Sequence, residues 1–512
     1  MSQNIIYVYA GWENDKKIGT IYSNISYGEE TVSFEYDKQW LTEHPHLILD
    51  PTIEQTPYRI YSKDKALFGA FQDACPDRWG RKLIDRREVL IAKEENRHPR
   101  KFVDSEYMLG IQDVCRSGGY RFKTNEKSDY IANENIAIPP ISTIRELEQI
   151  SLGYEIGNND RWISQLVNPG SSLGGARPKA NVLDTDGSMW IAKFPSRNDT
   201  YDVGAWEKVV HDLANKCGIN VPESRLCKYS DLGSTFLVKR FDRDYSDNNK
   251  NEKRIHFASA MTMLGMRDGK TDGSSYLDIA EVLERVSLNK NEGLEQLFRR
   301  VVFDVAVSNQ DNHLRNHGFM LNNGRWELSP AYDINPVHNT DFLDLYINLE
   351  SGYRSFNNVI ETCLFYHLSE EKAKDIIQNT TEIVAQNWQK LAIKYQIPSE
   401  EQKMMSSAFA LAEKEAKHGY NAGTYSHKSS LAEQMVAKWY EFVNLPREEK
   451  IDGIIWNGEK MRLAVFDDMY LAQCQKEGVE PDKQIKEHFW KNCVEMQEYV
   501  PKFYINNNAR ER

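Results

Sequence analysis

The sequence predicts an α+β protein with a mixed α/β first half and a mainly helical second half. Three observations carry that prediction. Strand-like runs bounded by Gly and Asn turns concentrate before about residue 245. Helical spacing dominates after it, most clearly at Leu294, Leu297, Phe298, Val301, Val302 and Val305, a nearly unbroken apolar stripe. A Gly-rich segment sits in the first half, and a carboxylate-bearing motif, NQDNHLRN, directly follows the stripe in the second.

Taken in order, Ile5–Tyr9 and Thr31–Tyr36 read as strands, and helical spacing takes over between about 60 and 115. The polar stretch 123–140, closing on Pro139 and Pro140, is the first boundary. A short helical stretch near 143–152 leads to GSSLGGARPK at 170–179. Two strands follow, Ala180–Leu183 and Met189–Phe194, with the turn Asp184-Thr-Asp-Gly187 between them. Asp202–Lys216 reads as a helix with Trp206, Val209, Val210 and Leu213 on one face and Gly218 just past its end. The strand Thr235–Phe241 precedes a charged, Asn-rich stretch at 242–252. Helical spacing returns over 369–417, and Gly419–Gly423 breaks it. The expected units are therefore 1–135, 140–245, 246–417 and a helical extension over 420–512.

Composition narrows the class. A chain of 512 residues exceeds one core and calls for two to four packed units. With 40% apolar and 11% aromatic residues, a sizeable core is available and wholesale disorder is excluded. A formal charge of −12 argues against a chain-wide nucleic-acid binder. MSQNIIYVYA lacks the basic start and long apolar run of a signal peptide, and no run of about 18 apolar residues could span a bilayer. The seven cysteines are scattered, without a C-x-x-C pair, which fits reduced thiols better than disulfides or zinc. The expectation is a cytoplasmic protein with no membrane partner.

Phosphoryl transfer makes four demands: a backbone cradle for phosphates, a lysine for their charge, metal-binding acidic groups, and a carboxylate beside the attacking hydroxyl. All four occur here in the order found in protein kinases. In Ser171-Ser172-Leu-Gly174-Gly175-Ala-Arg177-Pro-Lys179, the two glycines have no Cβ to block an anion, and Arg177 and Lys179 add positive charge. Lys193 closes the strand Trp190–Phe194, where a lysine can reach phosphates, and Glu207 on the following helix is its natural partner. Asp311 and Asn316 are five apart, the spacing of a kinase catalytic-loop Asp and Asn. Asp333, in LSPAYDIN, stands where a second metal-binding aspartate belongs.

Other readings use the same residues. Asp311, His313, Asn316 and Asp333 could form a metal-dependent phosphohydrolase centre, although that leaves the Gly-rich loop and Lys193 without a role. The set could also hold a nucleotide without turnover. His313 and His317 have zinc-pairing spacing on a helix, but no HExxH accompanies them.

At these motifs the sequence resembles the HipA family of bacterial serine/threonine kinase toxins. SSLGGARPK at 171–179 is similar to the family's ATP loop, IAKFP at 191–195 to its lysine strand, and LVKRFDR at 237–243 to the strand along the adenine. NQDNHLRNHGF at 309–319 and LSPAYDINP at 328–336 look like its catalytic and metal motifs. LFGAFQDACPDRWGRKLIDRR at 67–87 and YMLGIQDVCRSGGYRF at 107–122 resemble its N-terminal domain. The resemblance implies a HipA-like protein-kinase fold: an N-terminal domain over 1–135, a small lobe over 140–245 and a helical large lobe over 246–417. It implies ATP and Mg²⁺ as cofactors, with Lys193 on the phosphates, Asp311 as base, Asn316 and Asp333 on the metal, and Lys239 and Phe241 along adenine. Ser172 falls at the family's autophosphorylated loop serine, and Ser171 beside it offers the same chemistry. Implied partners are a protein substrate, in some members an aminoacyl-tRNA synthetase, and a HipB-like helix-turn-helix antitoxin through which alone DNA would be met. Residues 420–512 have no recognised counterpart, and the N-terminal segment is longer than in compact members. The basic clusters Arg78–Arg87 and Arg97–Lys101 read as solvated helix faces with ion pairs.

Overall fold

The computed structural model describes residues 2–418, apart from 64–66, 132–137, 157–165, 167–174, 246–252, 268 and 270–272. Beyond 418 it describes 439, 454–456, 459–461, 466, 469–471, 474 and 485. The chain divides into two compact units, Met1–Tyr420 and Asn421–Arg512.

In the first unit, β1 (Ser2–Ala10), β2 (Lys16–Ser26), β3 (Glu29–Tyr36), β4 (Ile60–Tyr61) and β5 (Tyr120–Lys123) form an antiparallel sheet in the order β4-β3-β2-β1-β5. Alternation builds it: Ile6, Val8 and Ala10 of β1 point into the core with Val32 and Phe34 of β3. The Arg78–Glu94 helix begins at Asp77, whose carboxylate accepts the Arg78 N–H at 2.8 Å, and buries Trp79, Leu83 and Ile84. Arg81 on this helix reaches Asp104 at 2.8 Å, and Arg97 beyond its end meets Glu88 and Glu95.

A second antiparallel sheet contains β6 (Lys179–Leu183), β7 (Met189–Lys193), β8 (Ser224–Ser230) and β9 (Gly233–Lys239), in the order β6-β7-β9-β8. β8 has no counterpart in the sequence reading, because SRLCKYS does not alternate cleanly between apolar and polar residues. The Val203–Lys216 helix lies against β9, with Trp206, Val209, Val210 and Leu213 fully buried. Gly204 permits that approach, since a Cβ there would stand 2.1 Å from the Ser234 carbonyl oxygen. A two-stranded ribbon, β10 (Arg243–Asp244) with β11 (Lys253–Arg254), follows.

The rest of this unit is mainly helical, as the spacing predicts. Its helices include Tyr276–Val286, Lys290–Val307, Glu370–Lys394 and Ser399–His418. Every residue of the 294–305 apolar stripe is fully buried. Among the helices runs a small sheet, β12 (His256–Ser259), β13 (Gly318–Asn322) and β14 (Arg325–Leu328), in that order. Asn323 at φ 48° and Gly324 at φ 77° close the β13–β14 hairpin, the left-handed pair that an Asn-Gly turn supplies.

The second unit, expected as a helical extension, is not helical throughout its described residues. Besides helical residues it contains a hairpin, β15 (Ile454–Trp456) paired with β16 (Glu459–Met461). The cause is local: a β-branched, aromatic run followed by Asn457-Gly458 favours a hairpin over a helix. Across the described residues no helix is long and apolar enough to cross a membrane, and the six described cysteines are free thiols.

Candidate active site

The β6–β7 register sets Lys179 opposite Lys193, so both side chains leave the same face of the sheet. The Lys193 ammonium sits between two carboxylates, 2.5 Å from Glu207 Oε1 and 2.6 Å from Asp333 Oδ1. Glu207 arrives from the Val203–Lys216 helix, and Asp333 from the loop after β14. Burial works to strip Lys193 of its proton, but Asp333 and Glu207 outweigh it and hold the ammonium charged. Burial likewise pushes the Asp333 carboxyl up, yet Lys193 and Lys179 pull it well below the usual carboxylate range. For Glu207 burial wins, and its carboxyl is raised despite Lys193. Lys179 is buried, which lowers its ammonium to about 8. Its Nζ lies beneath Gly175, where a Cβ would come within 2.7 Å of it, and Gly175 itself has φ 87°. That left-handed backbone favours glycine.

The Lys290–Val307 helix ends at Ser308, a left-handed cap at φ 59°, and the chain turns into the loop 309–317. A buried polar network fixes this loop. Asp304 accepts from the Tyr276 hydroxyl and, at 2.9 Å, from the Asn309 amide. Asn312 donates to the same tyrosine and accepts the Leu345 N–H at 3.0 Å. Above that floor Asp311 stands out, its side chain 71% exposed, with His313 Nε2 3.3 Å away. The Asn316 amide donates to the Asp311 carbonyl at 2.6 Å, leaving its own oxygen for a ligand. The Tyr332 hydroxyl donates to the Arg315 carbonyl at 2.7 Å, tying the Asp333 segment to this loop. Asp333 has φ 58°, a left-handed conformation that aspartate tolerates and that functional sites often hold.

Comparison with known proteins gives this constellation a family. Residues 171–388 match the HipA-like C-terminal domain, and residues 11–97 match the HipA N-terminal domain. The chain belongs to the HipA family. Among relatives, a candidate kinase of Haemophilus influenzae is 26% identical over 32% of this chain and 52% of its own length. The candidate kinase Y4dM of Sinorhizobium fredii is 26% identical over 37% of this chain and 44% of its own. The chain thus spans about half the length of the curated relatives it matches. The HipA of Shewanella oneidensis MR-1, solved with HipB and operator DNA, superposes with a TM-score of 0.56 at 15% identity, covering 81% of this chain and 97% of that one. That likeness establishes the HipA fold.

Within this HipA-family structure, Lys193, Glu207 and Asp333 form one cluster with Lys179 and Gly175 beside it, while Asp311, His313 and Asn316 share one loop. Phe241 lies in an aromatic set with Phe257 and Tyr332, at ring-centroid distances of 6.1 and 5.7 Å. The Lys239 N–H is bonded to the Glu223 carbonyl at 2.8 Å, and its ammonium lies 3.9 Å from the Glu223 carboxylate. Ser171, Ser172 and Gly174 lie outside the described residues. His313 and His317 do not share an α-helix, and His317 is buried with Nε2 toward the Asn312 carbonyl. Sequence reasoning passed over Tyr276, Asp304, Phe257 and Tyr332. Tyr332 had a local signal, since it directly precedes Asp333.

Proposed function

We propose that this HipA-family chain is an ATP- and Mg²⁺-dependent protein kinase that phosphorylates serine or threonine hydroxyls. The supporting observation is the pairing of Lys193 with both Glu207 and Asp333, beside a loop that presents Asp311 to solvent. The residues suit the ligands. Gly175 leaves room where a Cβ would intrude, and two buried lysines offer charge to phosphates. The Asp333 carboxylate and Asn316 amide oxygen are the hard oxygen donors that Mg²⁺ takes, and the metal would neutralise charge on the transferred phosphoryl group. On nucleotide binding, Lys193 exchanges its bond to Asp333 for phosphate oxygens while Glu207 keeps it aimed. Asp311 accepts the acceptor hydroxyl's proton as that oxygen attacks the γ-phosphorus, the bond from the γ-phosphorus to the β,γ-bridging oxygen breaks, and ADP leaves. Phe241, with Phe257 and Tyr332 behind it, offers an aromatic wall to the base.

The same proposal takes the chain as a toxin restrained by a HipB-like antitoxin, by analogy with the complex in which the Shewanella HipA was solved. It includes self-phosphorylation of Ser172 or Ser171, where added negative charge beside the nucleotide phosphates disfavours ATP. By family resemblance the substrate is an aminoacyl-tRNA synthetase.

The test is incubation of the purified chain with γ-labelled ATP and Mg²⁺, beside Asp311→Ala, followed by gel and mass spectrometry. Label on protein that is absent from the variant supports the kinase. Free phosphate without labelled protein turns the reading to a phosphohydrolase, and nucleotide binding without turnover turns it to a binding module.

A further inference from the structure

The kinase reading leaves the segment Asp73-Ala-Cys-Pro-Asp-Arg-Trp79 without a role, yet it touches both halves of the site. On one side it holds the foot of the Gly-rich segment. Asp77 Oδ2 accepts the Gly175 N–H, the Trp79 N–H donates to the Gly175 carbonyl at 3.2 Å, and the Trp79 indole reaches the Lys179 carbonyl at 2.9 Å. On the other side it holds the catalytic loop. Asp73 accepts the Ser259 N–H at 2.7 Å and the Ser259 hydroxyl at 2.8 Å, and Ser259 pairs with Gly318 across β12 and β13. Its Oδ1 also lies 3.7 Å from Arg315 Nη1, and the Asp73 side chain is only 6% exposed. Three residues lie between Asp73 and Asp77, so their Cα atoms are at most about 14 Å apart, and Pro76 stiffens the link.

A third contact keeps the same module fixed. The Asp242 carboxylate gathers Arg240, Arg243 and the Gly118 N–H, at 2.6, 2.8 and 2.7 Å. Residues 240–243, at the end of β9, are thereby bolted to the N-terminal sheet region. Strap and bolt together leave little freedom for β6–β9 to swing against the catalytic loop.

We propose that residues 73–79 are a strap that sets the spacing between the Gly-rich segment and the catalytic loop. Asp77 and Trp79 are positioning residues for the first, and Asp73 is one for the second. This rests on the kinase reading of those two motifs and adds that the N-terminal module is part of the working enzyme. Its effect is to preset a closed arrangement, where a hinged enzyme would need its ligand to impose one.

The full-length chain carrying Asp77→Ser, Trp79→Phe or Asp73→Asn tests this. Serine still caps the helix but is too short to hold Gly175; asparagine still bonds Ser259 but carries no charge for Arg315. In Asp77→Ser and Trp79→Phe, the dissociation constant for ATP should rise about three- to tenfold, the worth of one lost hydrogen bond. Their transfer rate at saturating ATP should stay within about twofold. In Asp73→Asn the rate should fall about three- to tenfold, with ATP affinity unchanged. Amide hydrogen exchange gives a readout independent of activity. It should quicken over 175–183 in the first two variants and over 311–318 in the third, with melting temperatures preserved. Wild-type exchange in both segments of folded variants would overturn the strap, whatever the activity assay gives. Exchange that moves as expected in a chain that neither binds ATP nor transfers phosphate would uphold the strap and sink the kinase reading.

Discussion

The two halves of the site are built to opposite rules. On the nucleotide side, Lys193 and Glu207 have side chains only 11% and 5% exposed, and each charge leans on an opposite one. On the acceptor side, Asp311 is the most open of the described candidate residues, and the burial lies beneath it, in Tyr276, Asp304 and Asn312. The difference follows from what each half meets. Phosphate charge is stabilised best by groups already aimed and dry, which need no reorganisation during the reaction. A protein hydroxyl must arrive from outside, so its base has to stand in the open on a rigid floor.

The sharpest way to break this contrast is at the open residue. Asp311→Ala should lower transfer by about a hundred- to ten-thousandfold, the usual worth of a positioned base. Because the side chain is exposed and outside the ion cluster, ATP affinity and melting temperature should stay at wild-type values. An equal loss of nucleotide affinity, read by titration, would merge the two halves and defeat the comparison.

The buried half should fail differently. Lys193→Met leaves Glu207 buried without its counter-charge, and breaking such a pair removes about 3–5 kcal/mol of stability. Chemical denaturation should show that loss together with weakened ATP binding. Glu207→Gln added to Lys193→Met should recover part of the stability but none of the binding. Strictly additive losses in that double variant would mean the two side chains are not coupled.

How far this site was legible depends on the range of the signal. The stripe from Leu294 to Val305, the Asn-Gly hairpin that leads to Asp333, and the lysine strand are patterns over a few residues, and each stands where its pattern predicts. β8 was not legible, since its residues owe their strand state to pairing with β9 rather than to alternation. The C-terminal hairpin was legible in Asn457-Gly458, although the whole of 420–512 reads as a helical extension. Asp77 shows why local reading runs out. As the residue before a helix it is an ordinary N-cap, and nothing nearby reveals that its second oxygen holds Gly175, 98 residues on. Asp73 is harder still, with its partner Ser259 lying 186 residues away.

The floor beneath Asp311 carries the smallest and most specific prediction. Burial raises the Asp304 carboxyl to about 6 even though Tyr276, Asn309 and Arg300 favour its charged form. In the unfolded chain it returns to about 3.8. Between those values the folded state holds a proton that the unfolded state has released, so stability from this group is full below about 3.8 and lost as pH rises through about 6. A shift of that size corresponds to about 2–3 kcal/mol. Asp304→Asn removes the titration while keeping an acceptor for Asn309. From pH 4 to pH 7 the wild-type chain should therefore lose about 2–3 kcal/mol of unfolding free energy relative to the variant, measured by denaturant titration at each pH. A difference that stays constant with pH would mean Asp304 is ionised throughout, and the floor under the catalytic loop would then be held by charge rather than by a shared proton.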